Sequence, residues 1–202
     1  MLSWPLWIAR ALAPYIAVLA GLVAMQSAWL AIVLYHVQIV AWNCRTWRHT
    51  IGGWDSNLAR LLAPPCLLVG PVVYLALPFL LTHRDILDAW LVAHGLGGAR
   101  LIAFAIYLGV LHPTLEQIHW NVLRSDKRYG GASHYAFAGY HALVLLPLLK
   151  TAGVLLSLVV LLLASMAWKH LSKRKGGLLL PAFTHTVADL GIIGAVVIYV
   201  IR

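Results

Sequence analysis

Glu116 and Asp189 are the two acidic residues of this chain that stand inside long apolar runs; the other four, Asp55, Asp85, Asp88 and Asp126, lie in loops beside Arg or Lys. A carboxyl group at membrane depth is expensive to keep, and by default it marks a functional site with a partner to be found. Depth arithmetic supplies the partners. Glu116, His141 and His185 each lie about eight residues inside the nearer end of their own apolar run, roughly 12 Å at a helical rise of about 1.5 Å per residue. Asp189 follows His185 by four positions and Phe137 precedes His141 by four, spacings that share one face of a helix. A glutamate, two histidines and an aspartate at one depth can hold a water, take its proton and stabilise an oxyanion, or they can bind a metal. Glu116 is the candidate general base.

The elements that must carry these groups follow from composition. Among 202 residues, 62% are hydrophobic and 10% charged, far from the roughly even apolar share and quarter-charged balance of soluble domains. A soluble globular protein is excluded. Runs of about 20 apolar residues, enough to cross a hydrocarbon core of roughly 30 Å, fall at about residues 11–41, 59–82, 99–123, 133–149, 151–171 and 177–201. The expectation is an all-α, polytopic transmembrane helical bundle of about six spans. Residues 1–202 form one integral membrane domain, with two spans in 1–98 and a motif-bearing core in 99–201. The second span holds Pro64, Pro65, Pro71 and Pro78 and should be distorted. No charged segment precedes the first run, which reads as a retained span and not a cleaved leader.

The net charge of +9 is set against this apolar background. The basic residues form short clusters between spans, without the contiguous basic face of a nucleic-acid binder, so nucleic acid is not a partner. Arg45, Arg48, Arg60, Arg124, Lys127, Arg128, Lys169, Lys173, Arg174 and Lys175 collect on one face; Arg10, Arg84, Arg100, Lys150 and Arg202 fall on the other. The positive-inside rule places the first set in the cytoplasm of a bacterial-type inner membrane, and both chain ends outside. Ser172 to Lys175 reads as topology-setting charge. Trp4, Trp7, Trp42, Trp47, Trp54, Trp90 and Trp168 fall near span ends, as an interfacial belt. Cys44 and Cys66 are too few for a disulfide framework and read as free thiols.

Three motifs then resemble one family. Pro113-Thr114-Leu115-Glu116-Gln117-Ile118-His119-Trp120-Asn121 is similar to the first motif, P-x-x-E-E-x-x-x-R, of the CAAX prenyl protease and bacteriocin-processing (CPBP, abortive-infection) family of intramembrane glutamate proteases. Phe137 to His141 resembles its second motif, F-x-x-x-H, and His185 to Asp189 its third, H-x-x-x-N or H-x-x-x-D. The resemblance covers about residues 99–201. It implies a helical membrane fold with a cavity open to the cytosol and an endopeptidase acting on a membrane-associated or prenylated peptide. On that pattern Glu116 would activate water with His141, while His185 and Asp189 would stabilise the oxyanion. The motif is divergent: Gln117 stands for the second glutamate and Asn121 for the arginine. Residues at i and i+4 face one another, so two amides can hydrogen-bond where an ion pair is usual.

Other readings stay open. The amide replacements favour a catalytically degenerate member that serves as a structural or assembly subunit of a larger membrane complex. Ten histidines in an apolar bundle, His36, His94 and His112 among them, can also ligate haem or a chlorin pigment. No cofactor is assigned with certainty, and no metal. His112, Glu116 and His119 form a pattern related to di-iron carboxylate bundles, but such a site needs several facing carboxylates and only Asp189 is left to offer. Gly191 and Gly194 could serve helix packing.

Overall fold

The computed structural model describes residues 2–44 and 52–202, so Arg45, Trp47 and Arg48 lie outside the described residues. All the described elements are helices apart from one isolated bridge, Leu81 to Leu149. Within hydrocarbon every backbone N–H and C=O must be satisfied inside the chain, and the helix does this within a single segment. Five helices are long and apolar enough to cross a membrane, and among the described residues three shorter ones accompany them.

The first apolar run is not one span. Helix α1 (Trp4–Val18) opens with Pro5 in its first turn and continues as a π-helix over Leu19–Ala24; the chain then reverses, and α2 occupies Ala28–Asn43. Gln26 takes a φ of 47°, a left-handed conformation uncommon for a residue with a side chain. Ser27 Oγ accepts the Leu30 N–H at 3.2 Å and caps α2. Gly21 lies so close to the α2 backbone that a Cβ there would stand 2.3 Å from Ala31 Cα. The run read as a single crossing at 11–41 is therefore an antiparallel hairpin.

The remaining path alternates between two ends. Helix α3 (Ser56–Leu80) is capped by Asp55, whose Oδ1 accepts the Leu58 N–H at 2.9 Å, and stays one helix through its four prolines. A short α4 (Ile86–Ala93) precedes α5 (Ala99–Arg124), α6 (Gly130–Leu145), α7 (Thr151–Lys175) and α8 (Leu179–Ile201). Gly176, at φ 71°, ends α7 in the left-handed cap that favours glycine. Helices α3 and α8 meet at Gly70, where a Cβ would stand 2.6 Å from the Gly191 carbonyl oxygen. The expected packing role thus falls to Gly191; nothing lies within 4 Å of a Cβ at Gly194.

At the basic end, Lys175 Nζ pairs with Asp55 Oδ2 at 2.5 Å and the Leu2 N–H donates to Asp126 Oδ2 at 3.0 Å. The Leu58 N–H first, then Lys175, holds the Asp55 carboxyl below its ordinary range. For Asp126 the N–H groups of Leu2, Arg128 and Tyr129 do the same. These aspartates, read as inconsequential, tie the basic-end loops together. The opposite end is closed by Thr82 N–H to Leu148 O at 3.0 Å, Lys150 N–H to Leu80 O at 2.8 Å and Ala28 N–H to His94 O at 3.1 Å. Because of the hairpin, Leu2 stands at the basic end and Arg202 at the opposite one, where its guanidinium lies 5.1 Å from the Tyr74 ring centre. The two chain ends do not share a face as expected. Arg10, placed on the less basic face, instead donates to Asn43 Oδ1 at 2.6 Å near the basic end.

Exposed Leu61, Leu68, Val72, Leu75 and Phe79 on α3, and Leu155, Val159 and Leu163 on α7, form an apolar outer surface. A monomer in water does not expose apolar area on this scale. The fold is a helical membrane bundle, and its surroundings are lipid.

Candidate active site

Glu116, 1% exposed, hangs from the middle of α5. Its Oε1 accepts from Tyr35 Oη of α2 at 2.9 Å and from Tyr140 Oη of α6. Trp120 Nε1–H, one turn along α5, donates to Tyr35 Oη at 2.9 Å and fixes that phenol in turn. Two phenols therefore hold one carboxylate oxygen. The other, Oε2, has no hydrogen-bond partner. His112 Nε2 lies 3.5 Å from it and His185 Nε2 3.6 Å, each beyond the usual hydrogen-bond range. His185 Nε2 is also 3.5 Å from Asp189 Oδ1. Two imidazoles thus stand beside Oε2, backed by a second carboxyl group.

The protonation pattern of His185 can be read from its neighbours. Arg124, 4% exposed, donates Nη2–H to Gln117 Oε1 at 2.9 Å and Nη1–H to Ser165 O at 3.0 Å. A guanidinium only donates, so the Gln117 oxygen must face Arg124 and the amide NH2 must face His185 Nδ1, 3.1 Å away. Nδ1 is then an acceptor, and the His185 proton sits on Nε2, aimed at Glu116 and Asp189. Trp168 stacks on the same ring with centres 4.0 Å apart and planes 24° apart. His185 is thereby presented as a hydrogen-bond donor; the nitrogen that faces Glu116 carries a proton and has no lone pair for a metal. Among the described residues no group of three or more His, Cys, Asp or Glu is arranged to hold a metal ion.

The structure brings Glu116, Gln117, His185 and Asp189 into one polar cluster. His141 lies in the same interior, its Nδ1 bonded to Phe137 O at 2.9 Å; among the described residues it has no direct hydrogen bond to Glu116. Tyr140, its neighbour in sequence, makes that contact. Phe137, 0% exposed, is a packing residue: its ring meets those of Trp120 and Trp168 at 5.7 and 5.9 Å. Asn121 does not pair with Gln117. It accepts from Ser172 Oγ at 3.2 Å, while Arg124, two turns from Gln117, supplies the basic partner. His119 points away from Glu116 to Arg10 O at 3.1 Å, so Glu116 and His119 do not form a shared ligand pair.

Of the histidines considered for haem or pigment, His36 and His112 bond to each other, Nε2 to Nδ1 at 3.0 Å. Both ring nitrogens of His94 face backbone oxygens, of Trp90 at 2.7 Å and Leu22 at 3.2 Å. Cys44 and Cys66 are free thiols.

Sequence reasoning passed over Tyr35, Tyr140 and Arg124. The signal for Tyr140 was its place next to His141, and for Arg124 its i+7 spacing from Gln117; Tyr35, outside the motif-bearing half, offered none. Trp168, assigned to the interfacial belt, is a site residue, and buried Trp7, 5.8 Å from Trp4 in a stack, packs inward as well. The first helices are part of the site and not an addition to it. No family model, curated protein or solved structure matches the chain.

Proposed function

We propose that this protein is an intramembrane endopeptidase, resembling the CAAX protease family, in which Glu116 activates water against a membrane-associated or prenylated peptide. The observation that carries this reading is the asymmetry of Glu116: Oε1 is saturated by Tyr35 and Tyr140, while Oε2 is buried, unbonded and bracketed by two imidazoles. A base needs one oxygen held still and the other open to the proton it takes.

In the proposed reaction, a water beside Oε2 gives a proton to that oxygen as its own oxygen bonds to the peptide carbonyl carbon, and the carbonyl π pair moves onto oxygen. The oxyanion takes a hydrogen bond from His185 Nε2–H, whose direction Gln117 and Arg124 have fixed. Asp189 Oδ1, 3.5 Å from the same Nε2, steadies that imidazole. When the carbon–nitrogen bond breaks, the leaving nitrogen takes the proton back from Glu116, and the carboxylate is restored. The basic loops face the cytoplasm on the positive-inside rule, in a membrane of the bacterial inner type. Glu116 then lies about 12 Å from that face at a rise of about 1.5 Å per residue.

Glu116→Gln keeps the shape and removes the base. Cleavage of a farnesylated peptide in proteoliposomes should fall by about 10²- to 10⁴-fold with the thermal melt unchanged; full activity in that variant ends the proposal. A second reading is favoured by one observation. Glu116 is 1% exposed, and it lines neither of two cavities of about 300 Å³ at the bundle ends, one beside Arg84 and Tyr199 and the other beside Trp54 and Phe183. Closure around the carboxylate suits a degenerate member that packs as a subunit of a larger complex, in which case Glu116→Gln is silent and a partner co-purifies in detergent.

A further inference from the structure

We propose that Tyr107, His36 and His112 form a proton relay that charges and discharges Glu116 from the end of the bundle opposite the basic loops. The inference rests on the reading of Glu116 as a base, because a base sealed in the interior must first lose its own proton. None of the three residues belongs to the motifs, and the proposed reaction uses none of them.

Two of the three links are hydrogen bonds, and the third is a 3.5 Å approach to the carboxylate. Tyr107 Oη lies 2.7 Å from His36 Nδ1, His36 Nε2 lies 3.0 Å from His112 Nδ1, and His112 Nε2 lies 3.5 Å from Glu116 Oε2. In the proposed series His112 turns an Nε2–H toward the carboxylate oxygen, which only accepts, and accepts at Nδ1. His36 must then donate from Nε2 and accept at Nδ1, which leaves Tyr107 as the donor to His36. Tyr107 gives to His36 and His36 to His112, and the series ends 3.5 Å from the unbonded oxygen, a gap that closes for the last transfer. The ring planes of His36 and His112 are stacked, 26° apart with centres at 5.3 Å, so the order of the series is fixed by packing.

The step balances as a shift of protons. Oε2 gains one from His112 Nε2, His112 Nδ1 gains one from His36 Nε2, His36 Nδ1 gains one from Tyr107 Oη, and the phenolate is reprotonated from outside. No electron is transferred. Reverse passage empties Glu116 and restores both imidazoles to their first tautomers. Tyr107 is half-buried, beside Trp29 and Phe104 in an aromatic patch. It lies nine residues from Glu116 toward Ala99, the end of α5 away from the basic loops. The other titratable groups around the series are Tyr35 from α2, Tyr140 and His141 from α6, and His185 and Asp189 from α8. None of these continues the path outward from Tyr107.

The test follows the protonation of Glu116 itself. After a pH jump on proteoliposomes, the carboxyl stretch that disappears in Glu116→Gln is followed by time-resolved infrared difference spectroscopy, in the wild type, Tyr107→Phe and His36→Leu. Both variants should slow the exchange by about tenfold or more, the effect of a barrier raised by roughly 1.4 kcal/mol, and leave the final protonation unchanged. An exchange rate equal to the wild type in a folded Tyr107→Phe overturns the relay; should that variant not fold, His36→Leu or His36→Gln decides in the same way. The reading of function fails separately, by absence of peptide cleavage in the wild type. Slowed exchange without any cleavage keeps the relay and removes the peptidase.

Discussion

The surroundings of Glu116 differ on its two sides along α5. Toward the basic end stand Gln117, Arg124 and the Ser165 carbonyl, joined by donors and acceptors whose direction is fixed by a guanidinium. Toward the opposite end stand His112 and His36, each able to gain a proton at one ring nitrogen as it loses one from the other, and Tyr107, which gives and regains its proton at one oxygen. One side can only position, because neither an arginine nor an amide changes protonation state in the working range of pH. The other can conduct. A buried carboxyl group that works as a base needs both, and the two functions are kept apart on one helix.

The comparison breaks most readily at Arg124. Replacing Arg124 with Met leaves Gln117 Oε1 without its donor, and a buried group left unpaired costs about 1–3 kcal/mol; Ser165 O keeps the i+4 amide of its own helix. Gln117 is then free to turn over, and His185 no longer has a single tautomer. The expected results are a lower melting temperature and mixed His185 ring signals in nitrogen-15 spectra, with the proton exchange of Glu116 unchanged. Slowed exchange in that variant would show that the two sides are not independent.

Gln117→Glu sharpens the same point with less damage. A carboxylate only accepts, so it would keep Arg124 and draw the His185 proton to Nδ1, reversing the ring. The nitrogen-15 shifts of Nδ1 and Nε2 should exchange places; an unchanged pattern would mean that Asp189 and Glu116 set the tautomer alone. Asn121→Ala removes only the contact to Ser172 and should alter stability by about 0.5–1.5 kcal/mol, with the His185 signals intact.

Acid provides the smallest effect, confined to the basic end. Asp55 and Asp126 are held below the ordinary carboxyl range, so the stability they contribute is complete above the unfolded value of about 3.9. It is lost as pH falls through their lower folded values. Hydrogen exchange at Leu2, Leu58, Arg128 and Tyr129 should accelerate below about pH 4, before the amides near Leu148 and Lys150 respond. Simultaneous loss at both ends would place the acid sensitivity elsewhere.

Much of this arrangement is legible in the sequence, for specific reasons. Glu116, His185 and Asp189 are visible because ionisable groups are conspicuous in apolar runs and because i and i+4 share a helical face. Tyr35 is not visible: a phenol within Val-Leu-Tyr-His passes as ordinary core, and nothing local says that it meets a carboxylate from a helix far along the chain. Arg124 misleads because charge at a span end normally faces the headgroups, whereas here its stem folds back two turns into the protein. Asn121 misleads for the opposite reason, since i and i+4 proximity permits a contact to Gln117 that Ser172 and Arg124 compete away. The first hairpin was concealed by an apolar run of 31 residues, from 11 to 41, broken by Gln26 and Ser27 near its middle and by His36 and Gln38 farther on. Its length alone, half as long again as the roughly 20 residues a crossing needs, was the available hint.

That hairpin also decides how the molecule can be approached from outside. A turn closed by Gly21 against Ala31 returns the chain to the end of the bundle from which α1 started, which sets Leu2 and Arg202 at opposite ends. A membrane-impermeant reagent supplied to sealed vesicles of uniform orientation would reach a label at Leu2 or a label at Arg202, never both. Exposed Cys44, at the end of α2, falls in the compartment of Leu2.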